Sequence, residues 1–138
     1  MSDVIMLTVK PRHIANMRKG RKKYELRKSR PAKPGGRDCR VFICESGSGG
    51  QVVAEFTCPA MPEMTTVDAT RVAVWACVGE EDVERYRADG RLFGWLVTHF
   101  IDYKAEGRVQ HITDFGLTCP PQSWCYVREA RECKTGQS

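Results

Sequence analysis

The sequence predicts an α+β fold: a small mixed, mostly antiparallel β-barrel carrying two to three helices. Three observations carry this reading. Runs with strand character outnumber helical patterns. They follow one another mostly through Gly- and Pro-marked turns and seldom through helical crossovers. A chain of 138 residues has room for one core of ordinary domain size. Closing such strands on themselves removes exposed sheet edges, which makes a barrel the economical arrangement. The chain therefore reads as one domain over 1–138, with a core over about 4–128 and a loose polar tail over 129–138.

The elements follow in order. Val4 to Val9, "VIMLTV", is an unbroken apolar and β-branched run, as a short buried strand requires. Pro11 suits a first helical position, Ile14 and Met17 lie three apart, and Gly20 suits a left-handed stop. Lys10 then stands at a helix N-terminus, where the dipole favours an anion. In "KKYELRK", Tyr24 and Leu26 alternate with Lys23, Glu25 and Arg27, as in a strand with one face on a core. Lys22 follows the Gly20 turn too closely for its direction to be fixed. "SRPAKPGGRD" is a loop, and "CRVFICES" and "VVAEFTC" form a hairpin across "GSGGQ". Glycine-rich phosphate loops join a strand to a helix, so this one reads as a plain turn. One or two helices follow between Pro59 and Gly90, with acids early in "GEEDVERYRADG". "LFGWLVTHFIDYKAEG" is expected as one long strand, and "PPQSWCYV" as a short closing strand.

A hydrophobic content of 41% excludes general disorder. No apolar run reaches the roughly 18 to 20 residues that cross a bilayer, and the start lacks a signal-peptide pattern; a cytoplasmic protein with no membrane partner is expected. Seven cysteines show no CxxC pair and no zinc spacing, so they read as reduced and mostly buried, with no metal and no cofactor. The net charge is +5, unevenly spread: residues 1–50 carry 13 Lys and Arg against 4 Asp and Glu, and the remainder 9 against 13. Such clustering marks either a surface that faces a polyanion or a solvated basic face.

The stretch "KGRKKYELRK" places one acid, Glu25, among six cations. Its core, Gly20, Lys22, Glu25 and Arg27, resembles the G-x-K-x-x-E-x-R signature of the activating signal cointegrator homology (ASCH) superfamily. The opening strand into "KP", the "VFICES" strand and the terminal "PPQSWCYV" agree with it over 4–128. The resemblance implies a fold like the pseudouridine synthase and archaeosine transglycosylase (PUA) RNA-binding domain, with the signature gathered in a cleft beneath the first helix. There Lys10, Lys22 and Arg27 would hold an anion, while Glu25, kept ionised by its neighbours, would accept a hydrogen bond from a base. Ser46, Gln122 and Ser123 fall at the rim, where they either contact a ligand or cap turns.

The expected partner is RNA or a nucleotide or nucleoside ligand. Tyr24, Trp124 and Tyr126 either stack a base or pack in the core. The alternative is a hydrolase with Lys22 and Glu25 as catalytic residues. One branch of the superfamily is implied to deacylate N4-acylcytidine with a lysine, a threonine three residues later and a distant glutamate; this sequence has Lys22 but Glu25 in place of the threonine. Glu25 cannot replace a hydroxyl nucleophile simply, yet it could activate water with Lys22 on the oxyanion. A ribonuclease would use the same acid with Lys22 or Arg27. His13, on the first helix, His99, in a strand, and His111, in a loop, are scattered and read as structural or exposed.

Overall fold

The computed structural model describes residues 4–32 and 38–128. The expected tail over 129–138, Cys133 and part of the Pro- and Gly-rich loop lie outside the described residues. The elements are β1 (Val4–Val9), α1 (Pro11–Arg18), β2 (Tyr24–Arg27), β3 (Cys39–Glu45), β4 (Gln51–Cys58), α2 (Ala69–Ala76), α3 (Glu80–Arg87), β5 (Phe93–Leu96), β6 (Thr98–Asp102), β7 (Gln110–His111), a 3-10 turn (Ile112–Phe115) and β8 (Trp124–Tyr126).

The strands form two sheets. The larger runs β6-β4-β3-β1-β8, with β7 added on β4; the smaller pairs β2 with β5. Pairings in the larger sheet are antiparallel except for β1 with β3, which run parallel. The described residues are thus mixed α+β, with three α-helices and mostly antiparallel strands. Among the described residues, hydrogen bonding traces these two sheets and no closed ring of strands.

The unbroken apolar run of β1 follows from burial on both faces of the large sheet. Ile5, Leu7, Val9, Val41 and Ile43 point to one side, where they meet Ile14 and Met17 of α1 and Phe93 and Trp95 of the small sheet. Met6, Phe42 and Cys44 point to the other, against Tyr103, Ile112 and Phe115. The two sheets therefore share a core across one face. A third cluster packs Val72 and Ala73 of α2 and Val83 of α3 against Tyr24 and Leu26.

Local chemistry sets the helix ends. Pro11 occupies the first turn of α1, and Gly20 adopts φ +74° after it. Asp68 caps α2 by accepting from the Arg71 N–H at 3.1 Å, and the Asp82 carboxylate accepts from the Gly79 N–H at 3.1 Å to start α3.

One expected element divides. The run from Leu92 to Gly107 is two strands in different sheets, β5 on β2 and β6 on β4. The Val97 N–H still continues the β2–β5 register, donating to the Lys23 carbonyl at 2.9 Å, and just inside β6 His99 takes φ +51°, a left-handed conformation that bends the chain. His111, expected in a loop, forms the short β7, and its ring bonds the Gly49 carbonyl at 2.9 Å. Gly50 must lack a side chain here: at φ +95° its Cβ would stand 2.8 Å from His111 Nε2. No described helix is long and apolar enough to cross a membrane.

Candidate functional site

Because β1 and β3 run parallel, their carboxyl ends finish at the same edge of the sheet. Ser46, just beyond β3, donates its N–H to the Val9 carbonyl at 2.9 Å. The approach to the antiparallel β8 comes to that edge too, the Ser123 carbonyl accepting from Thr8 N–H at 3.0 Å. β2 crosses nearby and turns Glu25 and Arg27 toward the gap. The result is a cleft of about 440 Å³, and Lys10, Glu25, Arg27, Ser46, Gln122 and Ser123 all line it.

Lys22 does not line it. Its ammonium is enclosed, donating to the Ala76 carbonyl in the last turn of α2 and standing 3.4 Å from Glu25 Oε1. That carbonyl end carries the negative pole of the helix, a favourable seat for a cation. Burial lowers the pKa of Lys22, and Glu25 opposes that shift. The same helix end fixes the start of β2, since the Lys23 N–H donates to the Trp75 carbonyl at 2.7 Å.

Glu25 is only 4% exposed and forms the floor of the cleft. Its Oε2 accepts from Arg27 Nη2 at 2.7 Å and Nε at 3.1 Å. Burial opposes its charge, but Arg27 and Lys22 outweigh burial and hold the carboxyl below the ordinary carboxylate range. Arg27 is itself braced, donating to the Thr8 carbonyl at 2.6 Å and the Ser123 hydroxyl at 3.2 Å. Two cations thus grip one acid, and exposed Lys10 and Arg12 add charge at the mouth.

Several lining residues carry no signal that singles them out in the sequence: Lys28, Ser29 and Tyr86. Arg12 and His13 also line the cleft, and for them a signal exists, because residues following Pro11 share the helix N-terminus with Lys10. His13 Nδ1 is the buried side-chain nitrogen that lacks a hydrogen-bond partner among the described residues. Burial and the charge on Lys22 lower its pKa, against the pull of Glu25, so its ring is mainly neutral near pH 7.

The aromatic candidates divide. Tyr24 packs on Trp75 with ring centroids 5.8 Å apart, in the helix-covered cluster. Trp124 stands edge-on between Trp95 and Tyr126, at 5.9 and 5.6 Å, and Tyr126 is 53% exposed. None of the three lines the cleft. Among the described residues, no group of His, Cys, Asp and Glu side chains is arranged to hold a metal ion.

Comparison of the fold with solved structures gives a consistent result. An ASCH protein from Zymomonas mobilis superposes with TM-score 0.66 at 15% identity, covering 92% of this chain and 89% of that one. This chain has the ASCH fold. A tyrosine-to-phenylalanine mutant of the Zymomonas protein (ZmASCH) gives 0.70 at 16% identity, with 96% of each chain covered. A serine-to-alanine mutant gives 0.69 at 15%, covering 96% of this chain and 94% of that one. At the level of sequence no family model matches the chain, and no curated protein matches it. The ASCH likeness is one of backbone architecture and reaches nearly end to end.

Proposed function

We propose that this ASCH-fold chain binds RNA or a nucleotide in the cleft above Glu25. The observation that carries the reading is a concave site in which, among the described residues, cations outnumber the acid: Lys10, Arg12 and Arg27 line it around the carboxylate of Glu25. Surplus positive charge in a hollow of ligand size calls for an anion. Phosphate sits at the start of α1, between Lys10 and Arg12, where the helix dipole adds to their charge. Among the described residues the one partner of Glu25 Oε1 is Lys22, at a long 3.4 Å, so it keeps the capacity to accept from an amino group of a base. Ser46, Gln122 and Ser123 meet the sugar or base edge at the rim.

Binding is favoured over hydrolysis by the state of Glu25. A general base works best with a pKa near the working pH, and this carboxyl is held low by the cations that grip it. Lys22, the partner that deacylation would need, is enclosed behind the acid. Cys44, Cys58, Cys77, Cys119 and Cys125 are free thiols, which suits a reducing, cytoplasmic setting.

Fluorescence anisotropy with labelled single-stranded RNA, titrated between about 50 and about 200 mM salt, tests the reading. Affinity should fall steadily with salt, and Lys10→Ala should weaken binding without lowering the melting temperature. Salt-independent binding, or none, would falsify it. Incubation with N4-acetylcytidine should release no cytidine.

A further inference from the structure

We propose that the cleft is one end of a track for a single-stranded nucleic acid, and that a second hollow beside it holds further phosphates of the same strand. The inference rests on the cleft reading given above and extends it from a nucleotide to a polymer.

The second hollow, about 700 Å³, shares Lys28 and Ser29 with the cleft. The two therefore adjoin across these residues. Arg30, Arg91 and Phe93 line its far part with Gly90, and among the described residues no carboxylate lines it. Both guanidinium groups lie over the Phe93 ring, Arg30 at 4.4 Å and Arg91 at 5.0 Å from its centroid. Stacking of this kind fixes the plane of a guanidinium and leaves its N–H edge free to meet a phosphate. Arg30 spends Nη1 on the Met61 carbonyl at 2.7 Å.

Two of the cations are paired with acids, Lys28 with Asp89 at 2.5 Å and Arg91 with Glu63 at 2.8 Å. These pairs are solvent-exposed, and a polyanion that releases counterions as it binds can displace such weak pairs.

The waist between the hollows is rigid. Trp95 Nε1 donates to the Ser29 carbonyl at 3.2 Å, and Trp124 Nε1 donates to its hydroxyl at 2.9 Å. A mononucleotide needs one hollow only. Cations spaced through two adjoining hollows match a ligand whose charge repeats along a chain. The strand must be single, because Glu25 lies at the floor of the cleft, 4% exposed, and only a base out of its stack can reach it.

The test measures affinity for RNA and DNA oligomers of one to about eight nucleotides, with a duplex of the same length, against the wild type, Lys28→Ala and an Arg30→Ala/Arg91→Ala variant checked for an unchanged melting curve. Affinity should rise at least tenfold from mononucleotide to about a hexamer and then level off. The double variant should lose that gain while binding the mononucleotide as the wild type does, and its log–log salt slope should shrink by about 0.7 for each phosphate that it no longer neutralises. RNA preferred over DNA supports a track that also touches ribose; equal binding supports one that follows the phosphate chain alone. The track is overturned if oligomers bind no tighter than the mononucleotide, if the duplex binds as well as the single strand, or if the double variant weakens all lengths alike; Lys28→Ala, at the residue both hollows share, should weaken every length. Mononucleotide binding without a length gain sinks the track and spares the cleft; failure of every ligand to bind sinks both.

Discussion

Among the described residues two glutamates are buried, and they are held in opposite ways. Glu55 on β4 is 7% exposed and fully matched: Arg40 approaches both oxygens, Nε to Oε2 at 2.9 Å and Nη2 to Oε1 at 3.0 Å, and the buried Tyr103 hydroxyl donates to it as well. One carboxylate meets one fork of matching geometry. Glu25, 4% exposed, has two cations of unequal quality, a close guanidinium and an ammonium at 3.4 Å, with more positive charge at the cleft mouth. The first arrangement is balanced and closed. The second is unbalanced and lines a hollow, so it has charge left over for a guest.

The largest expected effect separates the two by stability. Glu25→Ala leaves Lys22 and Arg27 buried against each other and should cost about 3 to 5 kcal/mol in urea unfolding, in the range for a broken buried pair. Glu55→Ala should cost less, about 1 to 3 kcal/mol, mostly for the orphaned Tyr103 hydroxyl, because the Arg40 side chain is 38% exposed and can hydrate. A greater loss at Glu55 would erase the distinction.

Next in size is the response to acid. Both carboxyls lie below their ordinary pKa in the folded chain, against the effect of burial: Glu25 through Arg27 and Lys22, Glu55 through bonds from Arg40 and Tyr103. A depressed folded pKa gives stability that is fully present above the unfolded value, about 4.3, and is lost as pH falls through the folded one. Melting temperature should hold from neutrality to about pH 5 and then drop. In Glu25→Gln the drop should be shallower, and an identical slope would show that Glu25 does not share in it.

Smaller effects sharpen the contrast in function. Lys10→Ala should weaken RNA binding by about three- to tenfold with stability unchanged within about 0.5 kcal/mol. Arg108→Ala, which removes the guanidinium lying 4.4 Å from the Tyr103 ring on the Glu55 side, should leave binding unaltered; equal loss from both would mean diffuse attraction without a site. Smallest is Ser123→Ala, which deletes one 3.2 Å bond to Arg27 and should cost about 0.5 to 1 kcal/mol by thermal melting.

Legibility from sequence follows the range of the interactions. β1, α1, β2, the β3–β4 hairpin and β8 are readable because alternation, Pro11, Gly20 and the glycines after Ser46 act within a few residues. The run from Leu92 to Gly107 reads locally as one strand because nothing nearby announces its division; β5 and β6 take their partners from different sheets, β2 and β4, both distant in sequence. Glu25 stands out as a lone acid among cations. His13 does not, since its partnerless nitrogen exists only once α1 is docked.

The amino-acid order alone settled the α+β class, the helix start at Pro11 and the parity that sends Glu25 and Arg27 to one side of β2, all consequences of backbone sterics and short-range periodicity. Tertiary packing decided which cations of the basic run face water and which are sealed. The end of α2 captures Lys22 through the Ala76 carbonyl, while Lys10 stays at the open mouth. That choice depends on contacts between segments about fifty residues apart, where a buried ammonium must find a carbonyl and a carboxylate to offset the loss of water, and no local pattern encodes it.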